Sequence, residues 1–143
     1  MPPVRALVQR VSSASVSVDG EEIARIGRGL LVLLGVHADD TPEHADKLVR
    51  KLLALRIFED DEGRMNLAAA DVGGQFLCVS NFTLYGDARR GNRPSFTEAA
   101  PPEEAERLYE MVREGLGAQG GRFGARMAVN LVNDGPVTLL IET

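Results

Sequence analysis

Residues 128–142 read AVNLVNDGPVTLLIE, two alternating apolar runs separated by Asn133-Asp134-Gly135-Pro136. Asp-Gly between alternating runs is a strong short-range hairpin signal, so the segment predicts strands over 122–132 and 136–142 around a turn. Pro136 is the oddity. It stands where the returning strand starts its ladder, and proline has no N–H to donate. Either Pro136 opens an edge strand, where that loss is cheap, or Gly135-Pro136 is a rigid, exposed piece of backbone that another group reads.

Working outward, VRALVQRV (4–11) and SASVSV (13–18) predict strands, and Asp19-Gly20 turns the chain into EEIARIG (21–27) as a hairpin. GLLVLLGV (29–36) is a continuous apolar run, as expected of a central strand covered on both faces. A helix starts near Asp40-Thr41-Pro42-Glu43, with Asp40 as cap and Glu43 completing a box-like pair, and buries Leu48, Leu52 and Leu55. QFLCVSNFTL (75–84) reads as a strand ending in polar residues. A second helix, from about Pro102 to Leu116, carries the stripe Ala105, Leu108, Tyr109, Val112 and Leu116 and stops at Gly117. The pattern predicts one α/β domain over 1–143, in layers, with mixed or antiparallel β-sheets and two main helices.

Composition narrows the class. The 143 residues are 44% hydrophobic and 26% charged, ordinary for a globular chain, which excludes disorder and fibrous repeats. Such a chain buries roughly 70% of its unfolded surface and needs no staples. One cysteine, Cys78, forms no internal disulfide, and no apolar run is long enough to span a bilayer, so a cytoplasmic protein without membrane attachment is expected. A net charge of −5 argues against general coating of nucleic acid. Local basic sites remain: Lys47, Arg50 and Lys51 on the first helix, and Arg89, Arg90 and Arg93 in one loop.

The usual catalytic devices are missing. His37 and His44 stand alone, Cys78 sits in an apolar strand, and there is no G-x-S-x-G, H-E-x-x-H, C-x-x-C or Walker loop. The acidic run Glu59 to Glu62 lacks the spaced ligands of a calcium loop and reads as a solvated turn. No metal and no cofactor is expected. What remains is Ser80-Asn81-Phe82-Thr83 at a strand end, RRGNRPSF (89–96) and NDGPVT (133–138). Strand ends present function, and hydroxyls with exposed N–H groups bind a carbonyl or oxyanion. The alternative is that Ser80 and Thr83 only satisfy loop backbone.

These blocks carry a resemblance. QRVSSASVSVDGE, IGRGLLVLLGV, RIFEDDEGRMNL, SNFTL, RGNRPSF, GRFGARM and NDGPVT are similar, in order and approximate spacing, to the D-aminoacyl-tRNA deacylases, small dimeric editing enzymes. The resemblance implies a homodimer that hydrolyses the ester between a D-amino acid and the 3′-terminal adenosine of tRNA. It implies that Ser80, Asn81, Phe82 and Thr83 line the catalytic site. It further implies that Gly135 and Pro136, joined by a cis peptide, enter the partner's site and exclude L side chains with backbone, while Arg10 holds that segment. Arg10 is otherwise a surface strand arginine. Glycine, lacking Cβ, passes such a filter, and Arg89, Arg90 and Arg93 become candidate tRNA contacts.

Two departures stand out. Asn81 occupies a position usually held by glutamine, and Gly120 replaces a common threonine. Thr83 as nucleophile has no evident base, so RNA-assisted chemistry through the terminal 2′-hydroxyl is the preferred expectation. A non-catalytic tRNA-end-binding dimer and a small-molecule esterase using Thr83 or Ser80 are the rivals.

Overall fold

The computed structural model describes residues 4–143. The chain opens with one long strand, β1 (Arg5–Val18), where two were expected. Its buried residues change phase along its length. Val4, Ala6 and Val8 face the helices, whereas Val11, Ala14 and Val16 join a second apolar cluster. Asp19 and Gly20, at φ 52° and 80°, then turn the chain into β2 (Glu21–Ile26), as the Asp-Gly signal predicts.

β3 (Gly29–Gly35) is the expected central strand, antiparallel to β1 and parallel to a later strand, with nearly every residue buried. α1 follows (Pro42–Ala54), but its cap is Thr41 in place of Asp40. The box partner is His44, not Glu43, because the Thr41 N–H donates to His44 Nδ1 at 3.0 Å. Asp40 instead turns inward, its Oδ2 accepting the His37 N–H at 2.6 Å.

The acidic segment forms a small ribbon, β4 (Phe58–Glu59) with β5 (Met65–Leu67). Asp60 Oδ1 accepts the N–H groups of Glu62 and Arg64 at 2.9 and 3.0 Å, so this carboxylate serves its own turn. β6 (Gln75–Ser80) runs parallel to β3 and stops earlier than expected. Residues Phe82–Tyr85 form a 3-10 turn, started by Asn81, whose side chain accepts the Thr83 N–H. α2 (Pro102–Leu116) has the expected bounds and stripe, and Gly117 closes it with a left-handed φ of 62°. A two-residue strand, β7 (Gln119–Gly120), lies parallel to β6.

The hairpin at 133–136 does not form. Ala128–Glu142 is a single strand, β8, antiparallel to β1 from Arg5↔Glu142 to Ser17↔Ala128. The physical reason is the length of β1, which accommodates both halves of β8 side by side. Pairing jumps from Gln9↔Thr138 to Val11↔Asn133, so Asp134 to Val137 bulge out of the ladder. Asn133 closes the neck: its Oδ1 accepts the Val137 N–H at 2.9 Å and its Nδ2 donates to the Val137 carbonyl at 3.1 Å.

The sheet order is β2-β1-β3-β6-β7, with β8 on the free side of β1. α1 and α2 cover one face through Leu48, Leu52, Leu108, Tyr109 and Val112. The other face is covered by β2 and the far half of β1 through Ala24, Ile26 and Val16. Among the described residues no helix is long and apolar enough to cross a membrane.

Candidate active site

Where β6 ends, the sheet stops and a cleft of about 570 Å³ opens. Its walls include Ser80, Asn81 and Phe82 from the strand end, Phe96 and Ala99 from the following loop, and Phe123, Gly124, Ala125 and Met127 from the segment before β8. No titratable side chain lines it. The segment expected to begin a strand at 122 therefore serves as a wall, and the strand starts only at Ala128. A second groove, of about 560 Å³, lies at the opposite end of β6 around Gly74, Gln75 and Phe76. It too is without titratable groups, and none of the residues singled out as a site falls in it.

Phe82 is 55% exposed, unusual for so large an apolar ring. It meets Phe96 edge-on, with centroids 5.1 Å apart, leaving an aromatic platform at the mouth. The Thr83 N–H donates to Asn81 Oδ1 at 3.2 Å, and the Thr83 hydroxyl donates to the same oxygen. An amide oxygen is no base, so nothing in this arrangement raises the nucleophilicity of Thr83. The Phe82 N–H, first of its turn, has no hydrogen-bond partner among the described residues. It is a free neutral donor beside the cleft.

The turn is held from behind by Arg5. Its Nη1 donates to the Leu84 carbonyl at 2.9 Å, its guanidinium lies 4.7 Å over the Tyr85 ring, and its Nη2 pairs with Glu142 at 3.0 Å. The isolated histidines stay out of the cleft. His37 is buried against Tyr85, and its Nδ1 accepts the Asp39 N–H at 3.0 Å. Burial pushes the Cys78 thiol up to about 12, so it packs as a small hydrophobe. Among the described residues no cluster of His, Cys, Asp or Glu is placed to hold a metal.

Gly135, Pro136 and Arg10 are brought together elsewhere. The Gly135-Pro136 peptide is cis, both residues are exposed, and they form the crest of the β8 bulge. Arg10 is buried, not a surface strand residue. Its Nε donates to the Asp134 carbonyl at 3.1 Å and its Nη1 to the Ile57 carbonyl at 2.7 Å, with Glu59 3.7 Å from Nη2. Glycine is required at 135: φ is 149°, and a Cβ there would lie 2.6 Å from the Val137 nitrogen. Arg10 pairs with Leu30, while Ser80 pairs with Leu34. Four residues along β3 is about 13 Å, so the bulge and the cleft of one chain are separate places.

Of the loop arginines, Arg89 is tied to Asp87, Nη2 to Oδ2 at 2.7 Å, whereas Arg90 and Arg93 are exposed without side-chain partners. The pair holds the Asp87 carboxyl down at about 2. Phe96 and Phe123 went unassigned in the sequence. The available signal was an aromatic residue inside each of two glycine- and arginine-rich loops that follow strand or helix ends.

A small mixed sheet with both helices on one face, and a strand-end cleft offering neutral donors and aromatic rings and lined, among the described residues, by no titratable side chain, defines a class: a neutral cleft without a conventional catalytic side chain. Comparison with known proteins makes the class specific. Residues 7–142 match the family model described as D-Tyr-tRNA(Tyr) deacylase, and the chain belongs to that family of hydrolases. The D-aminoacyl-tRNA deacylase of Anaeromyxobacter dehalogenans (strain 2CP-C) is 60% identical over 98% of this chain and 97% of its own. That of Desulfatibacillum aliphaticivorans is 54% identical over 98% and 99%. Among solved structures, one titled c-Myc DNA Unwinding Element Binding Protein superposes with a TM-score of 0.89 at 44% identity, covering 97% of this chain and 98% of that one. A probable eukaryotic D-amino acid tRNA deacylase, at 19% identity and a TM-score of 0.84, shares the fold over 98% of this chain and 99% of its own.

Proposed function

We propose that the protein hydrolyses the ester joining a D-amino acid to the 3′-terminal adenosine of tRNA, works as a homodimer, and needs no metal or cofactor. The observation that carries this reading is the cleft itself, lined by Ser80, Asn81 and Phe82 and by no titratable side chain. With no titratable side chain among the described residues lining the cleft, the base comes from the substrate. The 2′-hydroxyl of the terminal ribose, adjacent to the ester, assists an attacking water, and the Phe82 N–H stabilises the oxyanion. Water adds to the carbonyl carbon, the bond to O3′ breaks, and the products are a free amino acid and a tRNA with its 3′-hydroxyl restored.

Selection of the D configuration falls to Gly135 and Pro136. A filter built from main chain rejects L residues at Cβ while ignoring which side chain they carry, so many D-amino acids are accepted. Glycine passes for the same reason. Because the bulge stands about 13 Å along the sheet from the cleft of its own chain, the filter has to come from the partner's bulge. Dimerisation is supported by β8, whose outer edge is unpaired among the described residues and which exposes Val132 (56%) and Leu140 (52%) on either side of the bulge. The reaction belongs in the cytoplasm, where charged tRNA is found.

A second reading, a tRNA-end-binding dimer without catalysis, is favoured by the lack of a catalytic base and by the exposed Arg90 and Arg93. Turnover decides between them. Many equivalents of D-tyrosyl-tRNA hydrolysed per protein support the deacylase, and binding without turnover supports the alternative. A 2′-deoxy terminal adenosine should abolish hydrolysis while leaving binding intact; full activity on it would end the RNA-assisted scheme.

A further inference from the structure

Half of the fourteen arginines meet a carboxylate: Arg5, Arg10, Arg25, Arg64, Arg89, Arg107 and Arg113. Of the other seven, Arg28, Arg50 and Arg56 lie elsewhere, and four lie on the two segments that carry cleft-lining residues. Arg90 and Arg93 stand on the loop closed by the Asp87–Ser95 pairing, exposed and without side-chain partners among the described residues. Arg122 and Arg126 are equally exposed and unpartnered, on the segment across the cleft, where Phe123, Gly124, Ala125 and Met127 form the wall. No acidic residue occurs within 88–97 or 119–133. The two segments that carry these four free guanidinium groups also carry Phe96 and Phe123, which line the cleft with Phe82. An aromatic floor between cationic edges is the arrangement that holds single-stranded nucleic acid, the rings stacking bases and the cations taking phosphates.

We infer that Arg122 and Arg126 form a second phosphate-binding lip, which with Arg90 and Arg93 grips the single-stranded 3′ end of RNA just before its terminal adenosine. Arg89 is excluded from the grip because Asp87 already holds both prongs of its guanidinium. The assignment rests on the proposed tRNA-end reading and adds what that reading lacks: how the phosphates are held. It also explains how a protein of net charge −5 binds a polyanion, since a local patch, not the total charge, sets the field at the cleft.

The test uses the intact protein and a short oligoribonucleotide ending in CCA, without an amino acid, so that binding is read apart from catalysis. Each single-stranded phosphate contact contributes about 0.7 to the slope of log K against log salt. R122Q/R126Q should weaken binding and flatten that slope by about 1.4, whereas R64Q in the exposed turn between β4 and β5, where Arg64 already faces Glu62, should leave the slope as it is. With aminoacylated substrates, the preference for D-aminoacyl oligonucleotide over D-aminoacyl-adenosine should collapse in the double variant. An unchanged slope in R122Q/R126Q overturns the lip, as does polyglutamate displacing the oligonucleotide as well as RNA does. If the wild-type protein binds the oligonucleotide with the expected slope but hydrolyses nothing, the lip stands and the deacylase reading falls.

Discussion

The strand-end turn and the β8 bulge are both short irregular segments, yet they are built in opposite ways. The turn at Phe82–Tyr85 leaves its working groups open: an exposed Phe82 ring, an unpaired Phe82 N–H and a Thr83 hydroxyl bound to the neighbouring Asn81 amide. The bulge is locked from beneath. Buried Arg10 holds the carbonyl before it and Asn133 clamps its neck, which leaves Gly135 and Pro136 as its crest. In the proposed reading, one segment offers groups to a ligand that varies little, a ribose and an ester, and the other presents a fixed surface to a side chain that varies greatly, which is what discrimination by shape demands.

That contrast breaks most visibly at Gly135. Gly135→Ala puts a Cβ 2.6 Å from the Val137 nitrogen and 2.7 Å from Val137 Cγ2, so the crest must move. A displacement of about 1 Å at a positioning surface costs on the order of 100-fold. The ratio of single-turnover rates on D- and L-tyrosyl-tRNA should fall by that order, and an unchanged ratio would detach the bulge from chirality. Phe82→Ala should act on the other segment, losing ~1–3 kcal/mol of base stacking. It should appear as a raised KM with the D-over-L ratio intact.

Arg10→Met leaves the carbonyls of Ile57 and Asp134 without their donor and should cost ~1–3 kcal/mol of stability in urea unfolding. If Arg10 fixes the bulge, the D-over-L ratio falls along with it. Thr83→Ala sharpens the comparison by its mildness. It should cost at most about tenfold in single turnover, where a lost nucleophile costs ~10⁶-fold.

The smallest effect is expected at Asp40. Its Oδ1 is buried without a hydrogen-bond partner, 3.4 Å from His44 Nδ1, and burial raises its pKa above the usual carboxylate range despite the bond from the His37 N–H. The folded state thus binds this proton more tightly than the unfolded state, and the site's contribution to stability declines as pH rises from about 4 through the raised value. Asp40→Asn should remove that decline. Urea unfolding of both proteins across pH 4 to about 7 reads it as a wild-type-minus-variant difference that changes with pH; a flat difference would show the carboxyl titrating normally.

Legibility in the sequence followed the range of the forces involved. The Asp19-Gly20 turn and the limits of α2 at Pro102 and Gly117 are set by local backbone preferences, and both were read correctly. The same Asp-Gly logic fails at 134–135, because the pairing of both flanks with the fourteen-residue β1, which is far away in sequence, overrides it, and Asn133 then clamps the bulge. Asn81 ended β6 early by capping a turn that alternation alone reads as more strand. Ser80, Asn81 and Phe82 line the cleft, as their position at a strand end suggests, whereas Thr83, expected with them, is not among its lining residues because its hydroxyl and N–H turn back to Asn81. Phe96 and Phe123 were missed because the chain brings them there from loops far along the sequence. By sequence Arg10 is a surface strand residue, and only the Ile57 carbonyl and the bulge closing over it make it buried.

The most direct test of backbone chirality selection is a paired assay of the purified protein on D-tyrosyl-tRNA and L-tyrosyl-tRNA under single-turnover conditions. The account predicts rapid release of D-tyrosine, and for the L substrate a rate lower by about 100-fold or more. Comparable rates on the two would contradict it.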